Sequence, residues 1–302
     1  MNIQQLKVFI EMCSGRTLAE AAERLGLKQP TASFHLRKLE EELGMELFRK
    51  QSRSLQPNDA SAELLPYARR IVFLMEEARD TMKALQSEEY GRLRLGSSYT
   101  PATYVMPPYF AAYRERYPKV SFTLVVKQAE TALGMLRNYE IDAAIVSLGS
   151  MEAEGLIIHP LLPDELKLLL SPRHPLAQKT DITLEDMEEE TFLLHELGST
   201  SRTLSDDWAA KVGLTWNRVM ELGAIETIKE AIKCNMGIGI LPYRSVRREI
   251  ETGELSMKEL HLYENRRYIC LAYRDEEQLS PQVRAFITFL NHAMQGQPNS
   301  MV

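Results

Sequence analysis

Five side chains able to donate or accept hydrogen bonds, Gln29, Thr31, Ser33, His35 and Lys38, stand close together on a stretch opened by Pro30. A glutamine amide can pair with adenine, short hydroxyls reach phosphates or base edges, and a lysine meets phosphate. Arg37, Arg49 and Arg53 extend the set with cations suited to a nucleic-acid backbone. His35 has no second metal donor at useful spacing, so a groove contact is the better expectation for it. The plainer reading of each residue taken singly is a solvated surface side chain.

A second kind of chemistry recurs twice. Ser97-Ser98-Tyr99-Thr100-Pro101 and Gly198-Ser199-Thr200-Ser201-Arg202 each follow an expected strand and precede an expected helix. Unpaired N–H groups at a helix start, helped by hydroxyls and by Arg202, form an anion site. Simple N-capping accounts for one or two hydroxyls in each turn. Two such turns point to one shared cleft for a small, anionic effector, gripped by Ser98 and Thr100 on one side and Ser199, Thr200, Ser201 and Arg202 on the other. Ser147, at a strand end, and Ile225 and Glu226, at another helix start, are expected on the same walls.

A catalytic set is missing. His195-Glu196 lacks the second histidine of a zinc helix. Gly237-Ile238-Gly239 has no third glycine, and no Gly-x-Ser-x-Gly elbow occurs. Neither a metal nor a cofactor is called for.

The elements that must hold these groups follow from the pattern of apolar residues. Leu18, Ala21, Ala22 and Leu25 share one helical face, and Gly26 stops that helix where a left-handed residue is wanted. Pro30 suits the first turn of the next helix, from about Pro30 to Glu42, with Leu36 and Leu39 in the core. Two short helices across a tight turn make a helix-turn-helix, whose second member can enter a major groove. Glu46 to Arg49 and Ser54 to Gln56 can pair as a hairpin whose tip, Lys50 to Arg53, is basic: a wing beside that helix.

Asn58 caps a long helix running to about Ser87, roughly 40 Å in length. Leu64, Ala68, Ile71, Met75, Ala78, Met82 and Leu85 repeat at 4, 3, 4, 3, 4, 3 along it. An unbroken 3.5 repeat favours a second helix as partner, hence a symmetric dimer; packing on the chain's own body is the alternative. From Gly91 onward strand-like runs alternate with helical stretches, which indicates α/β architecture with a largely parallel sheet. Helices are expected at Thr103–Tyr117, Thr131–Tyr139, Leu184–Glu188, Thr203–Val212, Glu226–Asn235 and Arg244–Glu251, with a closing strand Tyr268–Tyr273, helix Pro281–Met294 and a frayed polar tail.

Composition sets the outer bounds. At 302 residues, 44% hydrophobic and 26% charged, the chain has the make-up of a soluble multidomain protein. No apolar run reaches the ~18 residues of a membrane span, and the start lacks a secretory pattern. Cys13, Cys234 and Cys270 are far apart and read as small buried side chains in a reduced, cytoplasmic compartment. Net charge is −6, yet residues 1–60 hold nine Lys/Arg against eight Asp/Glu. Local sign governs phosphate contact, because charges beyond ~8 Å are screened. The motif, not the charge, carries the nucleic-acid reading.

The whole chain resembles a LysR-type transcriptional regulator. The resemblance is strongest over Ala21-Ala22-Glu23-Arg24-Leu25-Gly26-Leu27-Lys28-Gln29-Pro30-Thr31-Ala32-Ser33 and Leu39-Glu40-Glu41-Glu42-Leu43-Gly44-Met45-Glu46-Leu47-Phe48-Arg49. His174-Pro175-Leu176-Ala177 and Gly237-Ile238-Gly239-Ile240-Leu241-Pro242 support it. It departs from the family at Phe34, where a basic residue is common after the serine, and in the wing, which lacks a doubled arginine. The resemblance implies a winged helix-turn-helix over 1–58, a linker and dimerisation helix over 59–89, and a two-lobed effector domain like a periplasmic binding protein. Lobe one would be 91–163 plus 268–302 and lobe two 164–267. Implied partners are double-stranded promoter DNA with a pseudo-palindromic site, an effector between the lobes, further copies of the chain as homodimer and homotetramer, and RNA polymerase. A solute-binding or enzymatic module carrying a DNA-binding head is the alternative, since fold alone does not separate them.

Overall fold

The computed structural model describes residues 1–51, 54–87, 91–275 and 279–295. The chain divides into two compact units, Met1–Gly91 with 138–140, and Arg92–Arg137 with Ile141–Val302.

The first unit starts with α1 (Ile3–Cys13), closed by a reciprocal capping box between Asn2 and Gln5. α2 (Leu18–Arg24) has the same device in Thr17 and Glu20. Gly26 takes φ +65°, the left-handed conformation that a Cβ would penalise. α3 (Gln29–Leu43) begins with Pro30 in its first turn. Phe9, Met12, Ala21, Ala32, Leu36 and Leu39 fill the space between the three helices.

β1 (Phe48–Gln51) and β2 (Ser54–Pro57) form the antiparallel hairpin, with Phe48 opposite Pro57 and Gln51 opposite Ser54. The first strand lies two residues later than the expected Glu46–Arg49. Glu40 Oε1 accepts the Leu47 N–H at 2.8 Å, so that group makes no bond in the ladder. The expected tip residues Ser52 and Arg53 lie outside the described residues.

α4 (Asp59–Ser87) is capped by Asn58, whose side chain accepts the Ser61 N–H at 3.0 Å. Pro66 sits inside this helix, where it removes one backbone bond. The apolar stripe has two fates. Leu64 and Ala68 pack into the helix-turn-helix core, whereas Ile71, Met75 and Met82 are exposed at 37%, 40% and 56%. The side chain of Leu85 is outside the described set.

In the second unit come β3 (Arg92–Ser97), a π-helical turn (Pro101–Val105), α5 (Pro107–Arg116), β4 (Ser121–Val126), α6 (Ala129–Arg137), β5 (Ala143–Leu148) and β6 (Ile157–Pro163). The single helix expected at Thr103–Tyr117 is thus two pieces, broken where Pro107 and Pro108 supply no N–H. Then follow β7 (Leu166–Leu170), a 3-10 turn (Pro175–Gln178), α7 (Leu184–Glu188), β8 (Thr191–Leu194), α8 (Thr200–Val212), β9 (Arg218–Glu221) and α9 (Ile225–Lys233). β10 (Ile238–Pro242), α10 (Tyr243–Glu251), β11 (Ser256–Lys258), β12 (Tyr268–Tyr273) and α11 (Pro281–Gln295) complete the elements of the described residues. The tail expected to fray is outside the described residues from 296 on.

Two five-stranded sheets result, ordered β4-β3-β5-β12-β6 and β9-β8-β10-β7-β11. They are mixed rather than largely parallel. In each, three strands run parallel, and the fourth is antiparallel to both its neighbours. The same strand pattern therefore occurs twice, although the sequence shows no internal repeat. α5 and α11 cover one face of the first sheet through Tyr109, Tyr113, Phe286 and Leu290, and α6 covers the other. α8 covers one face of the second through Trp208, and α9 and α10 cover the other through Ile228, Ile232 and Val246. A Cβ on Gly237 would stand 2.2 Å from the Thr191 carbonyl oxygen, so that glycine serves close strand packing.

Candidate functional site

At the head, α3 turns Ala32, Leu36 and Leu39 inward, which leaves Gln29, Pro30, Thr31, Ser33 and Arg37 exposed. His35 and Lys38 are half-buried at the edge of that face. Glu41 engages both nearby cations, at 2.7 Å from Lys38 and 3.6 Å from Arg37. Arg49 is exposed on β1, and Arg53 is outside the described residues. Phe34 was not among the expected contacts, yet it is 48% exposed in the middle of this face, its ring edge-on to His35. A bare apolar ring there suits a thymine methyl or a sugar.

The second unit holds a cleft of about 250 Å³, below the ~300–1,000 Å³ of drug-sized sites. It lies beyond the carboxyl ends of β3 and β8, the central strands of the parallel trios, where open α/β sheets place ligands. Ser98, Thr100, Ser147, Ser199, Thr200, Ser201 and Ile225 line it together, as expected from the two hydroxyl-bearing turns. Ser98 Oγ accepts the Ser147 N–H at 2.8 Å, and Thr200 Oγ1 donates to the Ser147 carbonyl at 3.0 Å across the cleft. Ser199 is an N-cap, its Oγ accepting the Arg202 N–H at 3.2 Å.

Two expected liners are elsewhere. Arg202 runs forward along α8 to Asp206 at 2.9 Å, reaches Glu221 at 3.3 Å and donates to the His195 carbonyl at 3.1 Å, so its guanidinium is already engaged away from the cleft lining. Glu226 accepts from the Tyr104 hydroxyl and from Lys229, outside the cleft. Burial, then the bond to Glu226, push the Tyr104 phenol far above its ordinary range.

Arg267 takes the place expected of Arg202. It is 2% exposed and lines the cleft, with Nε 2.8 Å from Asp164, Nη1 2.6 Å from Ser201 Oγ and Nη2 3.2 Å from Thr100 Oγ1. One guanidinium so joins both hydroxyl-bearing turns. His195 and Glu196 also line the cleft. His195 is 6% exposed, and burial, then the Arg267 charge, bring its pKa down to about 4. Gln128 donates to Glu196 Oε1 at 3.1 Å from the opposite wall. His195 Nε2 and Glu196 Oε2 are buried without a partner among the described residues. None of the three stands out in the sequence: Arg267 sits in a polar loop, and His195-Glu196 offers only half of a metal motif.

Among the described residues no cluster suited to a metal ion occurs, and no helix is long and apolar enough to cross a membrane. Cys270 is buried and Cys13 half-buried, but Cys234 is exposed, against the expectation for all three. Its place just past the last turn of α9 puts it on the surface.

Residues 3–62 match the bacterial regulatory helix-turn-helix protein model of the lysR family, and residues 86–295 match the LysR substrate binding domain. The chain belongs to the LysR family of transcriptional regulators. It is 28% identical over 294 residues to a RuBisCO operon transcriptional regulator of Allochromatium vinosum, covering 96% of this chain and 95% of that one. It is 30% identical over 281 residues to the HTH-type transcriptional regulator CfxR of Cupriavidus necator, at 93% and 88% coverage. A full-length OxyR variant from Pseudomonas aeruginosa shares the fold with TM-score 0.73 and 21% identity, over 98% and 95% of the two chains. The regulatory domain of CcmR from Synechocystis PCC6803, solved in complex with 2-PG, matches at TM-score 0.61 and 29% identity over 68% of this chain and 99% of that one.

Proposed function

We propose that this regulator reads promoter DNA with α3 and the β1–β2 wing, and that a small metabolite bearing an anionic group binds between the two sheets and controls how paired heads engage their site. The domain scheme behind this is 1–58 as DNA-binding head, 59–89 as linker, 91–163 plus 268–302 as lobe one, and 164–267 as lobe two. The observation that carries the effector part is Arg267, a buried cation bonded to a hydroxyl of each lobe. A ligand that met Arg267 together with Thr100 and Ser201 would touch both lobes at once, and so bind one lobe arrangement better than another. CcmR's regulatory domain, solved in complex with 2-PG, supports reading the second unit as a small-molecule-binding domain.

The exposed half of the α4 stripe supports dimerisation through that helix. Two heads would then address successive major grooves on a pseudo-palindromic site, with a tetramer and RNA polymerase as further partners. The function is regulatory rather than enzymatic, with no cofactor, and its setting is the cytoplasm. Retardation of the chain's own upstream duplex over random duplex, altered by a metabolite, tests the whole reading. Equal affinity for both duplexes under all additions would reject it.

A further inference from the structure

The cleft's fixed charges cancel. Lys127 and Arg267 are cationic; Glu196 on the wall and Asp164 against Arg267 are anionic. A dianion such as a phosphate monoester would find no net positive charge there. The unmet hydrogen-bonding capacity is also lopsided. Thr200 and Ser201 begin α8, where a helix leaves N–H donors free for a carboxylate. Away from that terminus, the buried unpartnered side-chain atoms on the described cleft lining are Glu196 Oε2, an acceptor, and Nε2 of the deeply buried His195; behind Arg267, Asp164 Oδ1 is a further unpartnered acceptor. The His195 ring approaches Glu196 no closer than 4.0 Å through Nδ1, so neither group satisfies the other.

We propose that the effector is a small zwitterion, an amino acid in the broad sense. Its carboxylate sits at the α8 terminus beside Arg267, and its ammonium faces Glu196 and His195. This rests on the cleft being the effector site. A donor-bearing cation meets the free carboxylate oxygen, and its net neutrality matches the balanced wall. Gln128, donating to the other Glu196 oxygen, holds that carboxylate in place from the opposite lobe.

The test uses the full-length protein and isothermal titration calorimetry with three probe sets: the common α-amino acids, their 2-hydroxy and deaminated counterparts, and phosphorylated two- and three-carbon acids. The expected result is that an amino acid binds at least about tenfold tighter than its deaminated counterpart, and that Glu196→Gln removes about tenfold of that affinity. The unliganded melting temperature of Glu196→Gln should not fall below the parent's, because the buried oxygen it replaces has no partner among the described residues. The deaminated comparison needs no variant, so misfolding of the variant would not shelter the idea. If only hydroxy or phosphorylated acids bind, and Ser201→Ala weakens them, the zwitterion is wrong while the cleft assignment stands. If no acid binds at millimolar concentration, both fall.

Discussion

Asp164 and Arg267 are joined twice, by the ion pair at 2.8 Å and by the Asp164 N–H donating to the Arg267 carbonyl at 3.0 Å. Their side chains are 0% and 3% exposed. They stand just after β6 and just before β12, where the chain passes out of and back into the first sheet. The ion pair thus ties the two crossings together directly beneath the cleft. Removing one partner leaves a buried charge unmatched, which costs about 3–5 kcal/mol. Arg267→Met should therefore lower the melting temperature sharply, and Arg267→Met with Asp164→Leu should recover most of it. Equilibrium unfolding in urea checks both; a single variant as stable as the parent would show the pair to be dispensable.

His195 gives a pH dependence of known sign. In the folded chain its imidazole titrates near 4, in the unfolded chain near 6.5. Below about 6.5 the unfolded chain takes up a proton that the folded chain refuses. Stability therefore falls as pH drops from about 6.5 toward 4, by about 3 kcal/mol in all, and this group contributes no slope above that window. His195→Asn should flatten the curve across the same interval. An unchanged slope in that variant would assign the effect to other groups.

Glu40, on α3, anchors the start of the wing. It accepts the N–H groups of Leu47 and Phe48 at 2.8 and 3.4 Å, which sets where the hairpin begins. Glu40→Ala should cost about 1–3 kcal/mol and weaken DNA retention along with it. Thermal unfolding monitored beside gel retardation would show the two losses moving together.

Phe34 makes the opposite prediction. It is half exposed and contributes little to the core, so Phe34→Ala should leave the melting temperature within about a degree or two. Affinity for the upstream duplex should fall about tenfold if the ring meets a base methyl. Fluorescence anisotropy measures this, and full affinity in the variant would remove Phe34 from the interface.

The α4 stripe separates two roles. Met75→Glu and Met82→Glu place charges on the exposed half and should weaken self-association while the head stays folded. Ala68→Glu, at a site with no exposure, should unfold the head instead. Sedimentation velocity distinguishes the cases; unaltered association in both exposed variants would move the dimer contact off this helix.

Local signals made the head legible: Gly26 at its left-handed φ, Pro30 in a first turn, Asn58 as cap. The hydroxyl-bearing turns were equally readable, since each chemistry is contained in five consecutive residues. Arg267 was not, because its partners Thr100, Asp164 and Ser201 are between 66 and 167 positions away in the chain. Arg202 differs for the complementary reason, that an aspartate one turn along the same helix claims its guanidinium. The fate of the α4 stripe was half visible: the repeat is continuous in sequence, but which turns the head covers depends on packing with Phe9, Leu36 and their neighbours.

One metabolite, bound in the cleft, should alter how the full-length protein holds its own upstream DNA. Fluorescence anisotropy of that duplex, titrated with protein in the presence and absence of a ligand first shown to bind, measures this directly. The expected result is preference over random duplex and a ligand-dependent shift that Ser98→Ala and Ser201→Ala abolish. Ligand binding with identical DNA curves, or a shift untouched by both variants, would contradict it.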